Sequence, residues 1–294
     1  MRVGVIDIGS NSTRMLLADV RGRAVVPLEA DMATTRLGRG IAGGLLDRYA
    51  MEKTAAVVQA FRERLDAAGA EKAVVAATAA VREAKNAAEF VGLVRRRTGD
   101  TVLVLSGEEE ASFGYLGVTA GLPGMAGMEG KAVTMDIGGG STEFAWPNSD
   151  GLRHVSLPAG AVRMTERDYT DGEILDILSG VTGALKERPE LQLVGIGGTM
   201  TTLAAVAQGL KVYDPRLVHG YVLTRAKIAE ILDDLRARTV EERRRMPGLQ
   251  PERADIIVAG VRICLLAMGA MAKTTVTVSD YDILHGLALR VAGS

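Results

Sequence analysis

The sequence contains two similar strand-and-turn segments, one near the start of each half of the chain. Residues 7–13 read Asp-Ile-Gly-Ser-Asn-Ser-Thr and residues 136–142 read Asp-Ile-Gly-Gly-Gly-Ser-Thr, so five of the seven positions are identical. Each segment follows an apolar run of strand length and precedes another such run. The repetition predicts an internal duplication, in which each half of the chain folds into a similar unit.

The length of the chain fits two units of this kind. Domains of about 100 to 200 residues are usual, and the chain has 294 residues. A glycine-rich stretch at residues 121–127 interrupts the apolar pattern, which restarts after it. We therefore predict an N-terminal domain over residues 1–124 and a C-terminal domain over residues 125–294.

The order of the apolar runs predicts an α/β fold in both halves. The first half begins with three consecutive runs that we interpret as antiparallel strands, at residues 3–8, 15–20 and 24–28. The second half begins in the same way, with strand-length runs at residues 131–135, 142–146 and 153–157.

After these strands, each half alternates between strands and helices. In the first half, helical spacing over residues 47–68 ends at Gly69, and the apolar runs at 73–77 and 102–105 are typical of buried parallel strands. The later elements predicted for the second half are helices at 171–186, 199–208, 225–238 and 253–271 and strands at 191–196 and 275–278. We expect a mixed sheet covered by helices in each domain.

Composition excludes several classes of protein. The 35 basic and 36 acidic residues nearly cancel, which excludes a globally basic nucleic-acid binder. The only cysteine, Cys264, lies in an apolar helical pattern, so neither a disulfide framework nor a multi-cysteine metal site is expected. No apolar run reaches the roughly 18 residues that a membrane span needs. We therefore predict a cytoplasmic protein.

Both repeated segments combine an aspartate with a turn of small residues. Asp7 precedes the turn at residues 9–12, and Asp136 precedes the turn at residues 138–141. Backbone N–H groups of such turns can bind phosphate oxygens, and the carboxylate can hold a divalent cation that bridges them. The alternative is that both are β-hairpin turns in which the aspartate serves only to form the turn.

A third glycine turn, at residues 195–202, ends an apolar strand and opens an apolar helix. The unpaired N–H groups at the start of that helix would suit an anion. The alternative is a tight strand-to-helix connection in which Thr199 is the N-cap. The turn is not a dinucleotide-binding fingerprint, because Met200 occupies the place of the third glycine.

Four acidic residues are candidates for catalysis. Glu108, Glu109 and Glu110 stand in a first helical turn, where acidic side chains interact favourably with the helix dipole. Helical spacing nevertheless allows one of them to point into a site. Glu143 begins a strand, where a partly buried carboxylate can orient or deprotonate water. A strand residue that faces solvent is the alternative for Glu143.

Arg82 is the candidate cation for phosphate binding. It lies in the first turns after a predicted buried strand, a position from which a guanidinium can bind a phosphate with two hydrogen bonds. The alternative is an arginine in an ordinary surface ion pair.

The sequence resembles the family of exopolyphosphatases and guanosine pentaphosphate phosphohydrolases across nearly its whole length. Six motifs stand in the order seen in that family, at residues 7–12, 77–82, 106–111, 136–143, 157–163 and 197–199. Weaker matches follow at residues 219–220, 252–255 and 278–280. The resemblance implies two duplicated α/β domains of the actin-like, ribonuclease H-like fold shared by sugar kinases and heat-shock chaperone ATPases, with the active site in the cleft between them.

The resemblance also implies roles for individual residues. It makes Glu110 and Glu143 the carboxylates that activate water, Asp136 the ligand of Mg²⁺ or Mn²⁺ with Asp7 as a second candidate, and Arg82 the group that binds the phosphate chain. The residues implied to cradle phosphates are Ser10, Asn11, Ser12, Gly138, Gly139, Gly140, Ser141, Gly197, Gly198 and Thr199. Hydrolysis of a terminal phosphoanhydride needs such a positioned water, a base and charge neutralisation, and no covalent nucleophile.

Two features depart from the family pattern. The chain ends after the second predicted domain, without the C-terminal helical region of the longer members, so the resemblance does not imply their extended polyphosphate channel or their dimer contacts. Residues 282–286 read Asp-Ile-Leu-His-Gly where the family more usually has Gly-Leu-Arg-Glu-Gly, a difference that bears on substrate length and affinity.

From these features we expect a Mg²⁺-dependent exopolyphosphatase that acts on inorganic polyphosphate, with guanosine pentaphosphate as a further candidate substrate. We expect neither a nucleic acid polymer nor a membrane as a partner, and a homodimer is left open. Two alternatives are an ATP-dependent small-molecule kinase or ATPase of the same fold, and a non-catalytic sensor of a phosphorylated ligand.

Overall fold

The computed structural model describes residues 1–121 and 130–293. The chain divides into two compact units. The first comprises Met1–Gly121 together with Ile283–Ser294, and the second comprises Leu122–Asp282. Two units were expected from the repeated segment, but the C-terminal residues belong to the first unit rather than to the second.

The first unit is built on a five-stranded mixed sheet. Its strands are β1 (Arg2–Ile8), β2 (Ser12–Arg21), β3 (Ala24–Thr34), β4 (Lys72–Ala77) and β5 (Val102–Val104), and their order in the sheet is β3-β2-β1-β4-β5. The three strands β1 to β3 are antiparallel, as the consecutive apolar runs predicted, and β4 and β5 run parallel to β1.

Helices pack against this sheet. The helices of residues 1–121 are α1 (Arg48–Ala67), α2 (Ala79–Glu83), α3 (Ala87–Thr98) and α4 (Gly107–Gly121). Asp47 caps α1 by accepting a hydrogen bond from Ala50 N at 2.9 Å, and Gly69 adopts φ 76° just beyond the helix end. Because Gly4 has no side chain, Leu65 of α1 packs directly against the middle of β1.

The second unit repeats this sheet and adds one strand. Its strands are β6 (Ala132–Ile137), β7 (Thr142–Asn148), β8 (Gly151–Leu157), β9 (Gln192–Ile196), β10 (Val222–Thr224) and β11 (Thr275–Val278). The order β8-β7-β6-β9-β11 matches that of the first unit, and the short strand β10 pairs antiparallel to β11 at the edge. The shared topology confirms the predicted duplication.

Seven helices of the second unit lie among its described residues. They are α5 (Ala161–Arg167), α6 (Asp171–Lys186), α7 (Gly197–Ala207), α8 (Pro215–Val218), α9 (Arg225–Ala237), α10 (Val240–Arg243) and α11 (Ile257–Ala270). Two predicted starts are wrong. The helix α7 begins two residues before the predicted Thr199, and α11 begins after the predicted Arg253, because Pro251–Arg253 forms a separate 3-10 turn.

The last helix, α12 (Ile283–Ala292), explains why the C-terminal residues group with the first unit. It packs on α4 so closely that a Cβ on Gly286 would overlap the carbonyl of Phe113. The predicted C-terminal domain therefore extends too far, since α12 contacts α4 and β1. The predicted boundary at residues 124 and 125 lies outside the described residues.

In residues 1–121 and 130–293, no helix combines the length and the apolar character that a membrane crossing requires.

Candidate active site

The first repeated segment forms a closed turn between β1 and β2. The N–H of Gly9 donates to Ser12 O at 3.0 Å, and Ser10 O accepts a hydrogen bond from Gly38 N at 2.7 Å. In the part of the chain that the structure describes, no acceptor faces the N–H groups of Ser10 and Asn11. The turn therefore presents two backbone donors, which is the arrangement that a phosphate cradle needs.

Asp7 lies inside β1 and not in the turn. Its cross-strand neighbour is Arg14 on β2, which donates two hydrogen bonds to Asp7 Oδ2 at 3.1 and 2.7 Å. The Asp7 side chain is buried. The alternative that the aspartates serve only as turn formers is wrong, because Asp136 likewise lies inside a strand, β6.

Arg82 and Glu110 form an ion pair in the first unit. The parallel strands β4 and β5 are neighbours, so the helices that follow them, α2 and α4, begin at the same edge of the sheet. Arg82 Nη1 donates to Glu110 Oε2 and also to Leu105 O at 2.8 Å. The Glu110 side chain is only 11% exposed, so this is not an ordinary surface ion pair.

The other two glutamates of the acidic run are exposed at the start of α4. Ser106 N donates to Glu109 Oε2 at 2.8 Å, and Glu109 N donates to Ser106 Oγ at 3.1 Å. This reciprocal capping box accounts for Glu109 as a helix-start residue. Of the three glutamates, Glu110 is the one that is shielded from solvent, as the spacing argument allowed.

The second repeated segment closes in the same way as the first. Gly138 N donates to Ser141 O at 3.0 Å, and Gly139 O accepts from Val162 N at 2.9 Å. Within the described ranges, no acceptor faces the N–H groups of Gly139 and Gly140. The second unit therefore offers a second pair of backbone donors.

The start of α5 supports this glycine turn. A Cβ on Gly160 would collide with the backbone of Gly139 and Gly140, so only glycine allows this close approach. Arg163 Nε donates to Gly140 O at 2.8 Å. The turn is thus held from the side of α5 by both steric fit and a hydrogen bond.

Two carboxylates lie next to this turn. Asp136 on β6 and Glu143 on β7 are direct cross-strand neighbours, and residues in that relation project from the same face of the sheet. Glu143 is 4% exposed, and its Oε1 accepts a hydrogen bond from the Ser156 hydroxyl at 2.7 Å. The alternative of a solvent-facing Glu143 is therefore wrong.

The third glycine turn lies against the Asp136 carboxylate. Gly197 adopts φ 78°, and a Cβ there would run into Asp136 Oδ1. The Thr199 hydroxyl donates to Ile137 O at 3.1 Å, so it ties α7 to β6. Thr199 is not the N-cap of α7, since the helix already begins at Gly197. The parallel pairing of β6 and β9 brings the second and third turns to one edge of the sheet.

Sequence reasoning missed several side chains at these turns. Arg253 lies directly over the backbone of Gly198 and donates from Nε to Gln250 Oε1 at 2.7 Å. Its motif was only a weak match, and nothing local in the sequence connects two residues 55 positions apart. Ser156 and Arg163 were also missed, although the register of β7 with β8 makes Ser156 the partner of Glu143.

The donor set offers carboxylates but no preformed metal cage. Among residues 1–121 and 130–293, no group of three or more metal-ligating side chains lies together. Mg²⁺ is commonly held by only one or two carboxylates, with water and substrate phosphates as its other ligands. Asp136 suits that role because its carboxylate lies at the glycine turns. The Asp7 carboxylate binds the Arg14 guanidinium.

Comparison with known proteins agrees with this architecture. Residues 16–294 match the family model of the Ppx/GppA phosphatase family. Exopolyphosphatase 2 of Mycobacterium tuberculosis is 32% identical in an alignment 319 positions long, which covers 99% of each chain.

Solved structures show the same fold. The PPX-GPPA enzyme of Aquifex aeolicus superposes with a TM-score of 0.79 at 33% identity over 99% of each chain. An exopolyphosphatase from Cytophaga hutchinsonii superposes with a TM-score of 0.89 at 25% identity, over 100% of this chain and 98% of that one. The expected α/β fold with two duplicated actin-like units is confirmed.

Proposed function

The chain belongs to the Ppx/GppA phosphatase family, and from this we propose that it is an exopolyphosphatase, which releases terminal phosphate from inorganic polyphosphate. The observation that carries the proposal is the pair of adjacent carboxylates, Asp136 and Glu143, beside a glycine turn with unused backbone donors. This combination supplies what hydrolysis of a phosphoanhydride requires, namely a base, a cation ligand and donors for phosphoryl oxygens.

We assign Glu143 as the group that orients and deprotonates the attacking water. The Ser156 hydroxyl fixes Oε1 of this carboxylate, so the side chain is held in one orientation on its strand. Its burial removes competing bulk water from the carboxylate. When Glu143 accepts the proton, the hydroxide formed attacks the terminal phosphorus, and the shortened chain leaves as the phosphoanhydride oxygen departs.

Phosphate oxygens are bound, in this proposal, by the backbone donors of the glycine turns. The N–H groups of Gly139 and Gly140 serve in the second unit, and those of Ser10 and Asn11 serve in the first. Gly197 and Gly198 add the N–H groups of the first turn of α7, which lack partners within a helix.

Side chains of the first unit complete the assignment. Arg82 binds the phosphate chain, and Glu110 holds the Arg82 guanidinium in place. We keep Glu110 as a second candidate for activating water, as the family resemblance implies. We favour Glu143 as the base because it is the more deeply buried of the two and the Ser156 hydroxyl orients its carboxylate.

Asp136 is the residue that we propose as the ligand of Mg²⁺, with Mn²⁺ as a substitute. The Asp136 carboxylate lies directly against Gly197, where a Cβ would overlap Oδ1, so it stands at the third glycine turn. A divalent cation bound there would offset the mutual repulsion of the two adjacent carboxylates and the charge of the phosphoryl oxygens. Asp7 is the weaker candidate because Arg14 already neutralises it.

The test is phosphate release from tripolyphosphate, long-chain polyphosphate, guanosine pentaphosphate and ATP, each with Mg²⁺ and with a chelator. Metal-dependent release from polyphosphate is the expected result. Release from guanosine pentaphosphate would add the second substrate implied by the resemblance, since its terminal bond has the same chemistry.

Two other outcomes would contradict the proposal. Release from ATP alone would favour an ATPase or kinase on this fold. Binding of polyphosphate without any release would favour a sensor. The homodimer remains a prediction, which sedimentation of the purified protein would test.

A further inference from the structure

The loop between β3 and α1, residues 35–46, is attached to the first glycine turn. Thr35 N and Arg36 N both donate to Asn11 O, at 3.1 and 2.8 Å, and Gly38 N donates to Ser10 O at 2.7 Å. A Cβ on Gly38 would lie only 2.7 Å from Ser10 Cβ, so the loop backbone lies directly on the turn. Any movement of this loop would therefore disturb the proposed phosphate cradle.

The same loop is attached at its other end to the segment that follows Arg82. Lys85 N donates to Gly44 O at 2.9 Å. Asn86 bonds both backbone groups of Leu46, since its Oδ1 accepts from Leu46 N at 2.9 Å and its Nδ2 donates to Leu46 O at 3.1 Å. The loop therefore connects the two phosphate-binding motifs that we assign to the first unit.

The backbone of this loop is held in an unfavourable conformation. Arg36 adopts φ 56°, in the left-handed region that residues with side chains rarely occupy. Its N–H donates to Asn11 O from this conformation. Backbone strain of this kind tends to occur at binding sites, where the surrounding contacts maintain it.

Two cationic side chains of this region remain exposed. Arg39 follows Gly38 directly, and Lys85 extends along Gly44, with Cε 3.3 Å from where a Cβ would stand. Within the residues that the structure describes, neither side chain has a hydrogen bond or an ion pair. Their charges are thus available to an anionic ligand.

We propose that Arg39 and Lys85 bind phosphates of the polyphosphate chain that lie beyond the terminal, reacting ones. This inference rests on the proposed function and adds to it a determinant of chain length. Each phosphate of such a chain carries negative charge, so a long substrate can reach exposed cations outside the cradle. A substrate of three phosphates occupies the cradle and gains little from them.

The experiment compares Arg39→Gln, Lys85→Gln and the double variant on tripolyphosphate and on long-chain polyphosphate. Each single change is expected to raise KM for the long chain about three- to tenfold, with a larger rise in the double variant and little change in kcat. KM for tripolyphosphate is expected to change by less than about twofold. With increasing salt, the long-chain KM of the wild type should also rise more steeply than that of the double variant.

The matched control is the double variant Arg95→Gln and Arg96→Gln, which removes two exposed charges of the same unit at the end of α3. A rise in the long-chain KM of this control equal to that of the test variant would overturn the proposal, as would an equal rise for both substrates. If the wild type hydrolyses neither substrate, the proposed function fails. Calorimetric binding of long-chain polyphosphate then decides the inference, which unchanged affinity in the Arg39 and Lys85 double variant would refute.

Discussion

Asp7 and Arg14 form an ion pair across strands β1 and β2, with 2.7 Å between Oδ2 and Nη2. At the equivalent positions of the duplicated unit, Asp136 and Glu143 place two carboxylates opposite each other. The two units therefore share a strand register but differ in charge at this point. The first pair joins a carboxylate to a guanidinium, whereas the second joins two carboxylates, beside which we propose that a divalent cation binds.

This difference predicts that two similar substitutions affect the Mg²⁺ requirement differently. Asp136→Asn is expected to raise the Mg²⁺ concentration for half-maximal phosphate release by about tenfold or more, because it removes a metal ligand. Asp7→Asn is expected to leave that concentration within about twofold. Mg²⁺ titrations of phosphate release measure both, and an equal rise in Asp7→Asn would restore Asp7 as a ligand.

The same Asp7→Asn variant is expected to lose stability. The substitution leaves the Arg14 guanidinium without its charged acceptor in a site where the aspartate is buried. Hydrogen bonds to charged groups contribute about 1.5–3 kcal/mol, so we expect a loss of that order in the free energy of unfolding. Urea unfolding measures it, and unchanged stability would mean that the pair contributes nothing to the fold.

Glu143→Gln is expected to remove most of the turnover. The amide keeps the size of the side chain but cannot take a proton from water, and loss of a general base typically lowers kcat by about 10²- to 10⁴-fold. Steady-state assays with a thermal melt separate lost chemistry from lost folding. Glu187→Gln, at the exposed end of α6, is the control. A Glu143→Gln variant with normal kcat would remove that residue from the mechanism.

Gly160→Ala tests the support of the second glycine turn. The added methyl group would push into the backbone of Gly139 and Gly140, so we expect a higher KM and a loss of about 1–3 kcal/mol in the free energy of unfolding. Gly180→Ala is the matched control, because a Cβ in that part of α6 meets no atom within 4 Å. It should stabilise the protein by roughly 0.5–1 kcal/mol. Equal behaviour of the two variants would contradict the assigned contact.

The sequence predicts the sheets better than it predicts the packing of distant segments. Apolar runs located the described strands of both units except the short edge strand β10, and the repeated segment predicted their common topology. The docking of α12 on α4 depends on Gly286 lying against Phe113, a contact between positions far apart in the chain. Periodicity within one segment carries no information about such a contact, so the predicted domain boundary was wrong at the C-terminus.

The residues of the candidate site also fall into two groups, those that the local sequence predicts and those that only distant packing brings to the site. Residues in the glycine turns and at strand ends could be found because their local pattern has a chemical meaning. Arg14 could have been found as well, since it occupies in the first repeat the position that Glu143 occupies in the second. Arg253 could not, because its place over Gly198 depends on how α7 and the 3-10 turn pack together.

Cys264 is fully buried in α11, with Sγ 3.8 Å from Met268 Sδ. Burial raises the pKa of the Cys264 thiol to about 12. At pH 8 the folded protein should therefore react very slowly with a thiol-specific reagent such as DTNB, and one thiol should react at once in denaturant. Fast labelling of the folded protein would show that this part of α11 opens readily.

The same pKa shift predicts how stability depends on pH. An unfolded thiol ionises near about pH 8.5, whereas the buried thiol stays protonated to higher pH, so ionisation favours the unfolded state. The stabilising contribution is complete below about pH 8.5 and is lost as the pH rises toward the folded value, by up to about 1.4 kcal/mol per pH unit. Urea unfolding of the wild type and of Cys264→Ala between pH 7 and pH 10 isolates this effect. The difference in unfolding free energy between the two proteins should be constant below pH 8 and should shift against the wild type above pH 9, and a constant difference throughout would mean that the thiol ionises equally in both states.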